Sequence, residues 1–409
     1  KPEGPRLPQR WKLPLRRDAL NAAVALWIAV GSARILPDAR AHGAFALRDF
    51  ATIYYALFFF VAQAQANTPQ ARAFFESCLR WAAVIIIPIS ELFRRFPEFF
   101  LGTFAVGGIP VIFLKGDLVA TFMAVGVLLA HHRWETTRRA GWLIAALLGI
   151  LGVLNSENRA SLLGLVVASV WLALGRRWGL LRLQLIAAAA GGLILLGGIV
   201  TGLVPARDNA AVRLYERVAS MVDVTGARSY DSPDVEFKGD NNRFRLVWWQ
   251  TVAGETIDNG PWLGLGFGYD LAATFLQRYY PDSDDEFSTR SPHSILLTAF
   301  GRTGAVGLAA LLTVVAAMAW RTWRGLREKT GDGIAEVYWL AAWVILTSAC
   351  FGVVLEGPMG AVVFWTLLGL ANAASVAAPA EDAMAGSTGA NSAADLRSPA
   401  TVDEVAARP

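Results

Sequence analysis

Three short stretches hold side chains able to bind an anion or move a proton. The first ends in Arg159, which opens an apolar run behind Asn155, Ser156, Glu157 and Asn158. An arginine at such a boundary can face a polar cavity, or it can snorkel to lipid phosphates as a plain anchor. The second stretch is 240–250. Asp240 and the asparagines after it suit a helix N-cap, and Arg245 and Trp249 follow at i, i+4 on one face. Guanidinium forks match phosphate oxygens and keep their charge in a poorly hydrated site, which makes Arg243 and Arg245 candidates. The blander alternative is an interfacial helix with arginines on headgroups and tryptophans at the boundary. The third stretch is Ser291, Pro292, His293 and Ser294, ahead of Gly301, Gly304 and Gly307. Pro292 suits a helix start, and the glycines share one side of that helix, where they permit close packing against another span. A lone histidine is more often structural than catalytic, yet an imidazole with an ordinary pKa of about 6.5 can take a proton near neutral pH.

Other patterns fall away. The segment from Pro261 to Gly268 carries Gly264, Gly266 and Gly268 but lacks the preceding strand and spacing of a dinucleotide fingerprint. It reads as a tight turn that brings backbone close to the membrane surface or a ligand. The acidic run 282–286 lacks the glycine and ligand spacing of a calcium loop and reads as a solvated surface. No zinc spacing and no Ser–His–Asp arrangement stands out. Cys78 and Cys350 sit in apolar stretches and read as buried free thiols.

The elements that must position these residues follow from composition. Of 409 residues, 55% are hydrophobic and 17% charged, against about 25% charged in an ordinary soluble protein. Mean hydropathy is +0.42, and apolar runs near the spanning length of about 20 residues recur along the chain. This excludes a soluble multidomain protein and implies an all-α polytopic membrane bundle, for which membrane lipids and no nucleic acid are the expected partners. Spans are expected near 19–36, 44–65, 72–91, 117–131, 141–155, 160–175, 181–204, 293–320, 334–355 and 359–378. The run 101–114 is short and broken by glycines and Pro110. The basic N-terminus with Arg10, Lys12, Arg16 and Arg17, and the loops 131–139, 176–182 and 321–329, should all be cytoplasmic. They share a side only if 92–116 is an interfacial or re-entrant element rather than a span. The expected organisation is then N-terminal transmembrane helices over 1–204, a mostly helical periplasmic cap over 205–292 with amphipathic stretches 210–222 and 244–257, C-terminal transmembrane helices over 293–378, and a disordered cytoplasmic tail over 379–409. Arg159, Arg245 and His293 all fall on the outer side.

The order of these features resembles the O-antigen ligase and polymerase family. An arginine opens a span (Arg159), and a large outer loop carries Arg-Leu-x-x-Trp (Arg245 to Trp249). A Pro-x-x-Gly-x-Gly turn follows (Pro261, Gly264, Gly266), then His293-Ser294 with Gly301 and Gly304 beyond. The resemblance covers residues 140–320 well and the flanks by topology. The family often has Asn after the histidine, where this chain has Ser294, which puts the histidine's orienting partner in doubt. The Arg-Leu-x-x-Trp spacing favours Arg245 over Arg243.

That resemblance implies a C-type membrane glycosyltransferase of the bacterial inner membrane, with its active site on the periplasmic side and about twelve spans if a hairpin precedes Lys1. It implies an O-antigen ligase of lipopolysaccharide synthesis that moves a polysaccharide from undecaprenyl diphosphate to a sugar hydroxyl of lipid A-core. Inversion at the anomeric carbon is expected, with no metal and no cofactor. Arg159, Arg245 and Arg243 would hold the diphosphate and His293 would activate the acceptor. An O-antigen polymerase and a protein O-oligosaccharyltransferase need the same clamp. A lipid-linked-sugar flippase would instead call for paired charges near span centres. A non-catalytic scaffold would not gather arginines around a histidine.

Overall fold

Inside a bilayer no water serves the backbone amides, so a chain this apolar has to close its hydrogen bonds within helices. The computed structural model does so almost throughout. It describes residues 16–66, 68–103, 105–106, 109–110, 115–156, 158–203, 233–279, 290–328 and 333–375, with single positions between 212 and 223. The expected tail 379–409, the acidic run 282–286 and most of the stretch 210–222 lie outside the described residues; those described within 212–220 are helical.

The helices are α1 (Ala19–His42), α2 (Ala44–Asp49), α3 (Ala51–Tyr54), α4 (Leu57–Gln65), α5 (Pro69–Arg95), α6 (Gly116–Thr137), α7 (Ala140–Asn155), α8 (Arg159–Leu174), α9 (Gly179–Val200), α10 (Pro233–Asn259), α11 (Ala273–Tyr279), α12 (Ile295–Glu328), α13 (Ile334–Ala349) and α14 (Pro358–Ser375). A helical run stands at each expected span. Five are long and apolar enough to cross a membrane, or six when the pair Ala44–Tyr54 and Leu57–Gln65, bent by 40°, is taken as one; α7, α8 and α13 are shorter and apolar. Between Arg95 and Gly116 the described residues form one π turn, Phe99–Thr103, and a two-residue antiparallel ladder, Ala105–Val106 with Ile109–Pro110, rather than a spanning helix. α10 begins at Pro233, earlier than the cap expected near Asp240. Both cysteines are free, but Cys78 is exposed on α5, against the buried thiol expected there.

Polar side chains sort the helix ends into two groups. At one end Asp18 caps α1 through the amides of Leu20 and Asn21, both at 3.0 Å. Asn21 bonds Gln63, Asn372 reaches Gln63 at 2.6 Å and Asp18 at 3.1 Å, and Arg321 lies 3.6 Å from Asp18. Arg177 pairs with Glu336 and, at 3.2 Å, with Glu135. The basic loops therefore gather at this end, as the charge bias requires. The other end carries the heads of α6, α8, α12 and α14.

The main core is a continuous cluster around Trp27, Phe59, Ile53, Leu180, Met318 and Trp339. A second, smaller cluster of Trp248, Val252, Leu271, Ala272 and Phe275 belongs to α10, α11 and the turn between them.

α12 is broken at Gly304, whose φ of 64° and ψ of −162° no side-chain-bearing residue adopts easily. The turn 261–268 fills the break. Leu265 donates to the Gly301 carbonyl (2.7 Å), Ala305 to Pro261 (2.8 Å) and Val306 to Trp262 (3.2 Å). A Cβ on Gly304 would run into the Trp262 carbonyl, and one on Gly264 into the backbone of Arg302. The glycines of α12 thus admit a turn, where packing against another span was expected, and the turn approaches a helix rather than lipid headgroups. Two carboxylates from the first helices hold it: Asp38 accepts from Phe267 N (2.7 Å) and Asp49 from Gly268 N (3.0 Å). Asp49 also pairs at 2.8 Å with Arg302, both side chains almost fully buried.

Removing one partner of a buried pair costs about 3–5 kcal/mol where it strands the other; without Arg302, Asp49 keeps only the half-exposed Arg48, 3.0 Å away. Arg302→Met alone should therefore lower the thermal midpoint of the detergent-solubilised protein sharply. The double variant Arg302→Met with Asp49→Leu should recover part of the loss. A double variant no better than the single would show that the ion pair is not the source.

Candidate functional site

At the end opposite the basic loops, four helices deliver the site. Asn158 accepts from the amide of Ser161 at 3.0 Å and so caps α8, which makes Arg159 its first residue. The Arg159 guanidinium donates to the carbonyl and hydroxyl of Ser220, at 3.2 and 3.1 Å, and to Asn242 Oδ1 at 2.7 Å. Asn242 in turn donates to the carbonyls of Ser220 and Asp223. Arg159 is thereby fastened to α10 three residues before Arg245. Positions i and i+3 share a helix face, so the two arginines approach one face of α10. Arg243 is exposed, and two residues along a helix is a turn of about 200°, so it points elsewhere.

Arg245 reaches the Phe351 carbonyl at 3.0 Å, in the bend after α13. Its Nε is buried and has no hydrogen-bond partner among the described residues. Burial pulls the guanidinium pKa down and Asp117 pulls it back up; an arginine remains charged regardless. The adjacent tryptophans fasten the rest. Trp248 donates to Leu271 O at 2.9 Å and Trp249 to Pro292 O at 2.6 Å. Trp248 also sets its ring edge-on to His293, with centroids 5.7 Å apart.

His293 has a φ of 55°, a left-handed conformation that is costly for a residue with a side chain. Burial, then Arg245, then Lys115 push its pKa down to about 4, with Asp117 opposing them. The imidazole is neutral at pH 7 and can accept a proton there. Behind it Ser291 donates to Glu356, which also accepts from Thr298 at 3.0 Å. Burial raises the Glu356 carboxyl above its usual range.

The structure thus brings Arg245 and His293 together, fastens Arg159 to the same helix face and leaves Arg243 outside. Sequence reasoning missed Lys115, Asp117 and Glu356. Lys115 sat at the edge of a stretch with no clear element, and Glu356 resembled any acidic residue in a short turn. Among the described residues no three His, Cys, Asp or Glu side chains gather as a metal site. If Arg245 is one of the charges that depress His293, Arg245→Met should raise the imidazole pKa from about 4 toward the ordinary value near 6.5. Histidine NMR shifts followed against pH would read the change, and an unmoved titration would separate the two groups.

No curated protein matches the chain. A family model described as O-antigen ligase matches residues 144–312, a stretch that runs from within α7 into α12. Arg159, Arg245, the glycine turn and His293 all lie inside it, so the part of this multi-pass chain that builds the site is similar to the O-antigen ligase family of membrane glycosyltransferases.

Proposed function

We propose that the protein is an O-antigen ligase that transfers a polysaccharide from undecaprenyl diphosphate to a sugar hydroxyl of lipid A-core. The observation that carries this reading is the meeting of Arg245 and His293 between Trp248, Trp249 and the Phe351 bend. Departure of undecaprenyl diphosphate concentrates negative charge on the oxygen it takes from the anomeric carbon, and fixed cations stabilise that charge. Arg245 holds the diphosphate, Arg159 supports it from α8, and Arg243 stands at the rim. The acceptor oxygen bonds to the anomeric carbon as the carbon–diphosphate bond breaks, and its proton passes to His293. One displacement inverts the anomeric centre, and the arginines take the part that a metal plays in other transferases. With the basic-loop end in the cytoplasm, the residues 205–292 form a periplasmic cap over a bundle seated in the inner membrane. The donor's lipid tail stays in the bilayer beside it.

A base with a pKa of about 4 is weak, but that value describes the empty site. A bound diphosphate neutralises the cations that depress His293, so its pKa rises when the donor is present. The neutral form is the active one, so activity is present above the pKa and lost as pH falls through it. The acid limb of kcat/KM, which reports the free enzyme, should lie near 4, and the limb of kcat at higher pH. Coincident limbs, or a first limb near 6.5, would remove His293 from this role.

The direct test combines purified protein, a polyprenyl-diphosphate glycan and lipid A-core, with EDTA throughout. Glycan joined to lipid A-core is the expected product. His293→Ala should lose about 10²–10⁴-fold in rate, and Arg245→Lys should not restore an Arg245→Ala loss, because an ammonium lacks the fork. Lengthening of the donor glycan alone would make the protein a polymerase, and glycan on a protein acceptor an oligosaccharyltransferase. No transfer of any kind would leave a flippase or a scaffold.

A further inference from the structure

We infer that Lys115, at the head of α6, is a further cation of the diphosphate site, supplied by a part of the chain outside residues 144–312. The inference rests on the reading of the site as a diphosphate clamp. Lys115 is the N-cap of α6, with Asp117 in its first turn. Its Nζ lies 3.5 Å from Asp117 Oδ2. The same carboxylate oxygen stands 3.7 Å from where a Cβ on Gly352 would be. Gly352 follows Phe351, whose carbonyl takes the Arg245 guanidinium. Lys115, Asp117, the Phe351 bend and Arg245 therefore form a continuous line of contacts, and Trp249 continues it from Phe351 to Pro292 and His293.

Charge balance explains why the site needs this lysine. His293 is neutral, and Asp117 offsets one of the two cations near it. A polyprenyl diphosphate sugar brings about two negative charges, and the departing diphosphate carries more. Arg159 already spends donors on Ser220 and Asn242, so much of the new charge falls to Arg245 and its neighbours. The Lys115 side chain is 41% exposed and Asp117 24%, so the ammonium is held beside the site yet open to a ligand. The amide end of α6 adds a partial positive charge in the same place. In the empty site Asp117 keeps Lys115 near Arg245; a diphosphate then competes for the ammonium.

The test measures binding of undecaprenyl diphosphate, without glycan, to the full chain in phosphatidylcholine nanodiscs. Loss of one charge-assisted contact should weaken binding of Lys115→Gln about tenfold, and Lys115→Arg should stay within about threefold. Arg324→Gln, which removes an exposed charge paired with Glu328 at the far end, should bind as the unaltered protein does. Unchanged binding by Lys115→Gln would overturn the inference while leaving the clamp of Arg159 and Arg245 in place. Failure of the unaltered protein to bind would remove the diphosphate reading itself, and Lys115 with it. Should Lys115→Gln not fold, the unaltered protein answers the question. Undecaprenyl diphosphate should slow acetylation of Lys115 by acetic anhydride, read by peptide mass spectrometry, and equal rates with and without it would reject the contact.

Discussion

A helix that breaks inside a bundle releases amides and carbonyls that have to be bonded again, and in this protein that requirement organises the end opposite the basic loops. α12 breaks at Gly304, and the turn 261–268 supplies the missing partners. Such a turn is stable only where its own amides are met, and Asp38 and Asp49 meet them. Asp49 is in turn held between the half-exposed Arg48 and the buried Arg302. One broken helix thus commits α1, α2, the turn and α12 to a single arrangement. Because α10 leads into that turn and His293 stands directly before α12, the same arrangement fixes where Arg245 and the imidazole stand.

The electrostatics of the site follow from its position. Partial burial, reinforced by Arg245 and Lys115, keeps the His293 imidazole deprotonated well below its ordinary range. That combination suits a site that must first attract an anion and only then receive a proton. A histidine left in water would be partly charged at pH 6 and would present a further cation rather than a base.

Much of this was legible in the sequence because a membrane imposes few solutions. Apolar run length located a helix at each expected span, and the loops that the Lys and Arg bias groups together do lie at one end of the bundle. Motif order pointed to Arg159, Arg245 and His293, and the resemblance to the family's Arg-Leu-x-x-Trp motif favoured Arg245 over Arg243. What stayed hidden depends on pairing between distant residues. Gly301 and Gly304 announce close approach but not of what, so the docking of turn 261–268 was invisible. Asp49 read as a charge near a span end, and nothing local links it to Arg302. Lys115 and Asp117 were lost because the stretch before them has no period to read, and Cys78 was misjudged because an apolar neighbourhood does not say whether protein or lipid surrounds it.

The clasp that holds the glycine turn also orders events during synthesis. Asp49 and Asp38 meet the amides of Gly268 and Phe267 across 219 and 229 residues of sequence. At about 5–20 residues per second, those partners leave the ribosome roughly 10–45 s after the carboxylates do. Through that interval each carboxylate has the arginine near it in sequence, Arg34 for Asp38 and Arg48 for Asp49, but not the amides it will finally hold. The first helices can therefore insert, but their ends at the glycine turn settle only when the last third of the chain arrives, which makes the site one of the final parts of the protein to form.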